Sequence, residues 1–203
     1  MLKIYGHEGA PNVRKVLWGA AELQIEFEVV PIGGNHGPLD TPEYRSVNPN
    51  AKMPSINDDG FVLWESHAIL RYLARKVGDA ALYPPDLQSR SIVEQWLDWQ
   101  AAHQAHAVRT LARLFMAPDS PSAIQVGDAA AAAEPLFDIL EQRLTQSAFV
   151  AGDGFTLADI PAAIGFERWS TLPIDHQPTP ATTAWFSQIS RRPAFRSAPA
   201  RPR

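Results

Sequence analysis

The sequence predicts two folds in series: an α/β unit with a mixed sheet over residues 1–78, then an all-helical unit over residues 87–203. Three observations carry this. The first eighty residues mix short β-type runs with helical periodicity, whereas the remainder shows helical periodicity alone. Between the two, Gly78 supplies a helix stop and Pro84-Pro85 a pair that no helix interior tolerates. A chain of 203 residues, 45% apolar and 20% charged, is also long enough to bury the core such an arrangement needs.

The elements follow in order. Leu2–Tyr5, Phe27–Val30, Ser55–Asn57 and Phe61–Trp64 are β-type runs, four strands in all, and Asp58-Asp59-Gly60 between the last two is a hairpin turn. Pro11 suits the first turn of a helix, where its missing N–H costs nothing, and Val13, Val16, Leu17 and Ala20 then recur at helical spacing. Residues 31–54 read as a long Gly/Pro loop, and Ala68, Ile69, Tyr72 and Leu73 mark a second helix.

Beyond the boundary, Ile92, Trp96, Trp99, His103, His106 and Leu111 follow one helical face up to Ala117-Pro118. Alanines 129–133 lie in a second long helix reaching about Thr145, as suits the best helix former. After the break at Gly152-Asp153-Gly154-Phe155, Thr156-Leu157-Ala158-Asp159 has the spacing of a capping box, which assigns Asp159 to a helix start rather than to catalysis. Two shorter helices, about 181–190 and 193–197, complete the unit.

Composition excludes several functions. A net charge of -4 offers no cationic excess to displace counterions, so nucleic acid is not an expected partner. With no cysteine there is no disulfide, no thiolate metal site and no protein thiol nucleophile, and any sulfur nucleophile must be imported. No apolar leader and no run of 18 apolar residues is present, so the expectation is a cytoplasmic protein without a membrane partner. His103 and His106 have no third ligand at a suitable spacing, so no metal is expected.

Three features of the first unit point to one ligand. The corner Gly6–Pro11 aims the free N–H groups and positive end of a helix at whatever lies above it, a setting for an anion. Met53-Pro54 opens a strand; were the bond cis, the Met53 backbone would be free to pair with a peptide-like ligand, although trans is the commoner form. Ser66 at a helix start suits a carboxylate and Glu65 an ammonium, so the pair matches the α-amino acid end of a ligand, or else is an ordinary cap beside a solvated acid.

Together these residues resemble the glutathione transferase family, in particular its theta- or nu-like members. The resemblance is carried by Pro11-Asn12-Val13-Arg14-Lys15-Val16, by Thr41-Pro42-Glu43-Tyr44 leading to Asn48-Pro49-Asn50-Ala51-Lys52-Met53-Pro54, and by Phe61-Val62-Leu63-Trp64-Glu65-Ser66 running on to Arg71-Tyr72-Leu73-Ala74. Gly152-Asp153 with Thr156-Leu157-Ala158-Asp159-Ile160 and the closing Arg192-Pro193-Ala194-Phe195 extend it over almost the whole chain.

The resemblance implies a thioredoxin-like N-terminal domain that binds glutathione as co-substrate, followed by an all-helical domain contributing the electrophile pocket. Met53 beside a cis Pro54 would pair with the cysteinyl backbone. Glu65 and Ser66 would hold the γ-glutamyl end, and Lys52 and His36 would lie near the remaining charges. A homodimer is implied as well.

Many relatives place a hydroxyl or thiol at the sulfur; here the corner is Ala10-Pro11-Asn12. Asn12 is therefore the candidate catalytic residue, in the first turn where a dipole and a directed hydrogen bond favour a thiolate, with a structural cap as the other reading. Tyr5 reads as core, and His7 as a possible base near the thiol. His106, Arg109 and Arg113 share a helical face that belongs either to the substrate pocket between the domains or to a solvated stripe. The expected reaction is conjugation of the glutathione thiolate to small hydrophobic electrophiles. Disulfide or peroxide reduction, glutathione-dependent isomerisation or dehalogenation, and a non-enzymatic glutathione-binding protein are the alternatives.

Overall fold

Alternation along the first strand sets the sheet: in β1 (Leu2–Tyr5), Leu2 and Ile4 are buried and Lys3 faces solvent. The structure, a computed structural model, describes residues 1–117 and 121–197. It divides into two units, Met1–Tyr83 with Ser190–Arg203, and Pro84–Ile189.

In the first unit, α1 (Pro11–Glu22) is the crossover from β1 to the parallel β2 (Phe27–Val30). On the other side of β1 runs the antiparallel β3 (Ser55–Asp58), which forms a hairpin with β4 (Phe61–Trp64), giving the order β2-β1-β3-β4. The hairpin turn has Asp59 and Gly60 at φ 50° and 99°, the conformation a two-residue turn requires. Helix α3 (Ser66–Val77) packs against α1 and ends at left-handed Gly78. Its buried stripe is Ile69, Leu70, Leu73 and Ala74. Tyr72, assigned from its spacing to that stripe, sits at the edge, where its hydroxyl donates to Asp58 Oδ2 at 2.7 Å.

The stretch 31–54 contains a 3₁₀ turn (Gly34–His36) and a short helix, α2 (Pro42–Val47). Pro42 opens α2 and Thr41 Oγ1 accepts from Tyr44 N at 3.2 Å, but only Tyr44 is buried, so no apolar period betrays it. The sequence places the last helix, α9 (Pro193–Ser197), in the helical domain, yet it packs on α1 of the first unit. Arg192 donates from Nε and Nη2 to the two Glu22 oxygens at 2.7 and 2.8 Å. Phe195 meets Trp18 edge-on at 4.9 Å. These partners lie about 170 residues apart in sequence, beyond the reach of any local pattern.

The second unit is all-helical: α4 (Leu87–Trp99), α5 (Ala105–Met116), α6 (Ala123–Gln146), α7 (Asp159–Ser170) and α8 (Pro180–Ile189). The single helix expected from residue 87 to 117 is interrupted by a π turn at Gln100–Gln104; Pro118, its expected end, lies outside the described residues. Gln104 is wholly buried, and its amide occupies the space where a Cβ on Gly165 of α7 would lie only 2.2 Å from Oε1. Phe137 stacks on Trp169 at 4.0 Å within a core that includes Leu97, Leu111 and Leu140. Among the described residues no helix is long and apolar enough to cross a membrane.

Candidate functional site

Register brings distant residues to one rim of the sheet. Tyr5 is opposite Val30 on β2 and Ser55 on β3, and Ser55 is opposite Trp64 on β4. The segments that follow β1, β2 and β4, and the one that precedes β3, therefore all leave the sheet at the same edge. Those segments hold His7 and Asn12, His36, Lys52 to Pro54, and Glu65 and Ser66.

The corner after β1 depends on Gly6. At φ 147°, its Cβ would stand 2.5 Å from Val13 Cγ2, so only glycine lets the turn close over α1. The first helical bond of α1 runs from Arg14 N to Ala10 O at 3.0 Å, which leaves the N–H groups of Asn12 and Val13 outside the helical ladder. Ala10 has no side chain to cap them. Asn12 is exposed in this first turn, where the positive end of the helix dipole favours an anion. Tyr5, expected in the core, is only half-buried and lies against Tyr44, ring centroids 6.3 Å apart.

His7 and His36 meet. Their ring centroids are 5.9 Å apart, and the His7 imidazole lies between Gly9 and Gly34, whose Cβ atoms would each approach a ring nitrogen to 3.2 Å. With Glu8, Val29, Pro31 and Asn35 they line a cleft of about 460 Å³. The sequence offered no spacing that joined these two histidines.

The Met53-Pro54 bond is cis, as the family resemblance implied. The segment before it is held by residues that periodicity missed. Lys52 O accepts from Tyr44 Oη at 2.9 Å and from Asn48 Nδ2 at 2.6 Å, and Tyr44 Oη lies 3.0 Å from Ser55 Oγ. Both holders come from α2 and its C-terminal end, whose signal was the Thr41-Pro42 start. The Met53 thioether packs beside Gly33, 3.0 Å from where a Cβ would be, which ties the loop after β2 to the same segment.

Glu65 has φ 72°, a left-handed conformation unusual for a non-glycine residue and a feature of sites held by their surroundings. It turns the chain from β4 into α3, whose first helical bond runs from Ile69 N to Glu65 O at 2.9 Å. Ser66 is buried, Glu65 is exposed, and no side chain caps this helix start.

The remaining candidates lie in the helical unit. His106, Arg109 and Arg113 are exposed on α5, with Arg109 Nη2 3.4 Å from His106 Nδ1. His103 and His106 line a groove of about 330 Å³ with Ala129, Ala132 and Leu136 of α6. Among the described residues no group of three or more His, Cys, Asp or Glu is arranged to hold a metal ion. Asp159 is fully buried and accepts from Val150 N, Thr156 N, Thr156 Oγ1 and Trp185 Nε1 at 2.8–3.3 Å. It is a structural group, but the expected capping box does not form: α7 starts at Asp159 with Ala158 as an uncapped N-cap, and Asp159 instead ties the preceding Thr156 and Val150 to Trp185 of α8. Burial pushes its carboxyl up to about 6, against the pull of these donors.

Residues 1–75 match the family model described as glutathione S-transferase, N-terminal domain, and residues 103–193 match glutathione S-transferase, C-terminal domain. Glutathione S-transferase GstB of Escherichia coli is 28% identical over 200 residues, 97% of this chain and 96% of its own length. Glutathione S-transferase F13 of Arabidopsis thaliana is 32% identical over 206 residues, 96% of this chain and 93% of its own. Among solved structures, the theta class glutathione S-transferase of Xanthomonas axonopodis pv. citri with glutathione bound has a TM-score of 0.91 at 31% identity, over 99% of each chain.

Proposed function

The chain belongs to the glutathione S-transferase family, and from that premise we propose that it binds glutathione along the sheet rim and joins its thiolate to small hydrophobic electrophiles. The observation that carries this reading is the convergence, on one edge, of two helix starts without side-chain caps and the strand entered through cis Pro54. A helix start without a side-chain cap is a setting in which backbone N–H groups can meet an anionic ligand.

In this reading Ser66, with its hydroxyl and the N–H groups opening α3, holds the γ-glutamyl carboxylate, and Glu65 pairs with the adjacent ammonium. The Met53 backbone pairs with the cysteinyl residue as an added strand. Lys52 and His36 lie toward the glycyl carboxylate. The thiol then points at the start of α1, where Asn12 and the helix dipole favour the anion; a free thiol near pKa 8.5 is only a few per cent ionised at neutral pH, so this bias raises the concentration of nucleophile. No protein cysteine is needed.

Because position 10 is Ala, the corner offers the sulfur an amide rather than a hydroxyl. This favours keeping thiol-disulfide exchange as a second reaction of the same bound thiolate. Calorimetry with millimolar glutathione tests binding, and turnover of an aryl halide against a small dialkyl disulfide separates the two reactions. Absence of glutathione binding overturns the proposal; binding without turnover of either substrate leaves a binding protein of this fold.

The proposal includes a cytoplasmic homodimer. Phe61, Val62 and Trp64 are exposed along the edge strand β4, with Phe61 against Tyr72 at 5.0 Å, an apolar surface of the kind association covers. Sedimentation giving the monomer mass of 22.3 kDa overturns the dimer.

A further inference from the structure

Lys15 of α1 is buried at 3% exposure, and its Nζ lies 3.3 Å from Nε2 of His67, the buried second residue of α3. A buried ammonium is costly, and an unbranched apolar side chain of similar length fills the same space without that cost. Burial pushes the Lys15 ammonium down to about 7, and the Glu65 carboxylate draws it partly back up. The cation is therefore felt at the turn that opens α3.

Arg14 lies over the Phe195 ring, and Arg192 of α9 is paired with Glu22. From β1, Leu2 and Ile4 are buried, and Lys3 turns outward toward Glu28. On α3, Arg71 lines a separate groove with Leu63 and Tyr72. On this side His67 of α3 touches Lys15, and Glu65, just before the helix, acts on its charge.

We propose that Lys15 is a positioning residue for the γ-glutamyl end of glutathione: a buried cation, steadied by His67, that stands behind the Glu65-Ser66 turn and favours a carboxylate at Ser66. The inference rests on the glutathione reading above. The Lys15 ammonium need not touch the ligand, because a charge in a low-dielectric setting acts over several ångströms. As pH rises through the range where Lys15 loses its proton, this support is lost and the ligand binds more weakly.

The test is calorimetric titration with S-methylglutathione, which has no ionisable thiol, from pH 6 to 8.5 on the wild type, Lys15→Met and Lys15→Arg. Wild-type affinity is expected to fall by about 5- to 10-fold more across this range than that of Lys15→Met, which is weaker by a similar factor at pH 6. Lys15→Arg, charged throughout, is expected to keep the affinity that the wild type loses. Every ionisable group other than residue 15 is common to the three proteins, so its contribution cancels in the comparison. Lys15→Met should melt no lower than the wild type, since it removes a buried charge.

A lower melting temperature with a pH profile parallel to wild type overturns the inference and makes Lys15 merely structural. Should Lys15→Met fail to fold, identical profiles for wild type and Lys15→Arg overturn it equally. If the wild type does not bind S-methylglutathione at all, the glutathione reading falls and this one with it; binding with a shared profile removes only the role of Lys15.

Discussion

At the start of α4, Asp86 accepts from Gln88 N and Ser89 N, each at 3.0 Å, whereas at the start of α1 Ala10 accepts nothing through its side chain. The same contrast runs through the molecule. Thr41 caps α2, Ser122 and Gln125 form a capping box on α6, Asp159 and Thr156 bridge the start of α7, and Glu141 of α6 accepts from Ala181 N and Thr182 N of α8. Helices α1 and α3 start without a side-chain cap. A cap satisfies the orphan N–H groups internally and stabilises the fold, typically by about 1 kcal/mol. A start left open forgoes that gain and keeps its donors for a ligand. The uncapped starts of α1 and α3 lie on the rim; α7 also lacks a side-chain cap at Ala158, but the segment that enters it is held in the core by Thr156 and Asp159.

The comparison breaks hardest at Asp159. Asp159→Ala removes the acceptor for four buried donors and is expected to lower the unfolding free energy by about 3 to 5 kcal/mol, read by denaturant titration, with glutathione affinity of the folded protein unchanged. Its carboxyl also gives a pH signature. Because the folded-state value of about 6 lies above that of an unfolded Asp, near 3.9, folding takes up a proton between the two. The resulting stabilisation is complete below the unfolded value and is lost as pH rises through about 6. Stability of the wild type relative to Asp159→Asn should therefore grow on acidification from pH 7 to 4.5; a constant difference contradicts the assignment.

At an open start the expected effects fall on the ligand. Ser66→Ala should weaken glutathione binding by about 10-fold while shifting unfolding by less than about 0.5 kcal/mol, since the hydroxyl caps nothing in the free protein. An equal loss of stability would make Ser66 an ordinary cap. For Asn12→Ala the expected change is smaller and more specific. The apparent pKa of the bound thiol should rise by about one unit, followed by thiolate absorbance across a pH titration, with little change in affinity. An unaltered titration removes Asn12 from the mechanism. Asp86→Ala completes the set: about 1 kcal/mol of stability lost and no effect on thiol ionisation or binding.

Much of the scaffold was legible because it is written locally. The β-type runs, the Asp59-Gly60 turn and Pro11 at a helix start all act over a few residues, and each appears where its pattern places it, whereas the capping box expected over Thr156 to Asp159 does not form, the helix starting only at Asp159 with Ala158 as its uncapped N-cap. Helix α2 escaped because six residues with one buried side chain show no period. The π turn escaped because no local pattern marks it, and Gln104 at its end packs against Gly165, sixty-one residues on in the chain numbering. The attachment of α9 to α1 escaped for the same reason, since Glu22 and Arg192 carry no mark of each other.

For the candidate site, the sequence by itself determined the chemistry available: no cysteine, an Ala-Pro-Asn corner, a proline opening a strand, and an acid-serine pair opening a helix. Family resemblance added how those pieces would be used. Only the tertiary structure decided that they stand on one rim, that His7 meets His36, that Tyr44 and Asn48 hold the strand entry, and that Lys15 is buried against His67. The physical reason is one of range. Propensities, caps and turns are set by neighbours in sequence, while register, burial and the field at a buried charge are set by neighbours in space.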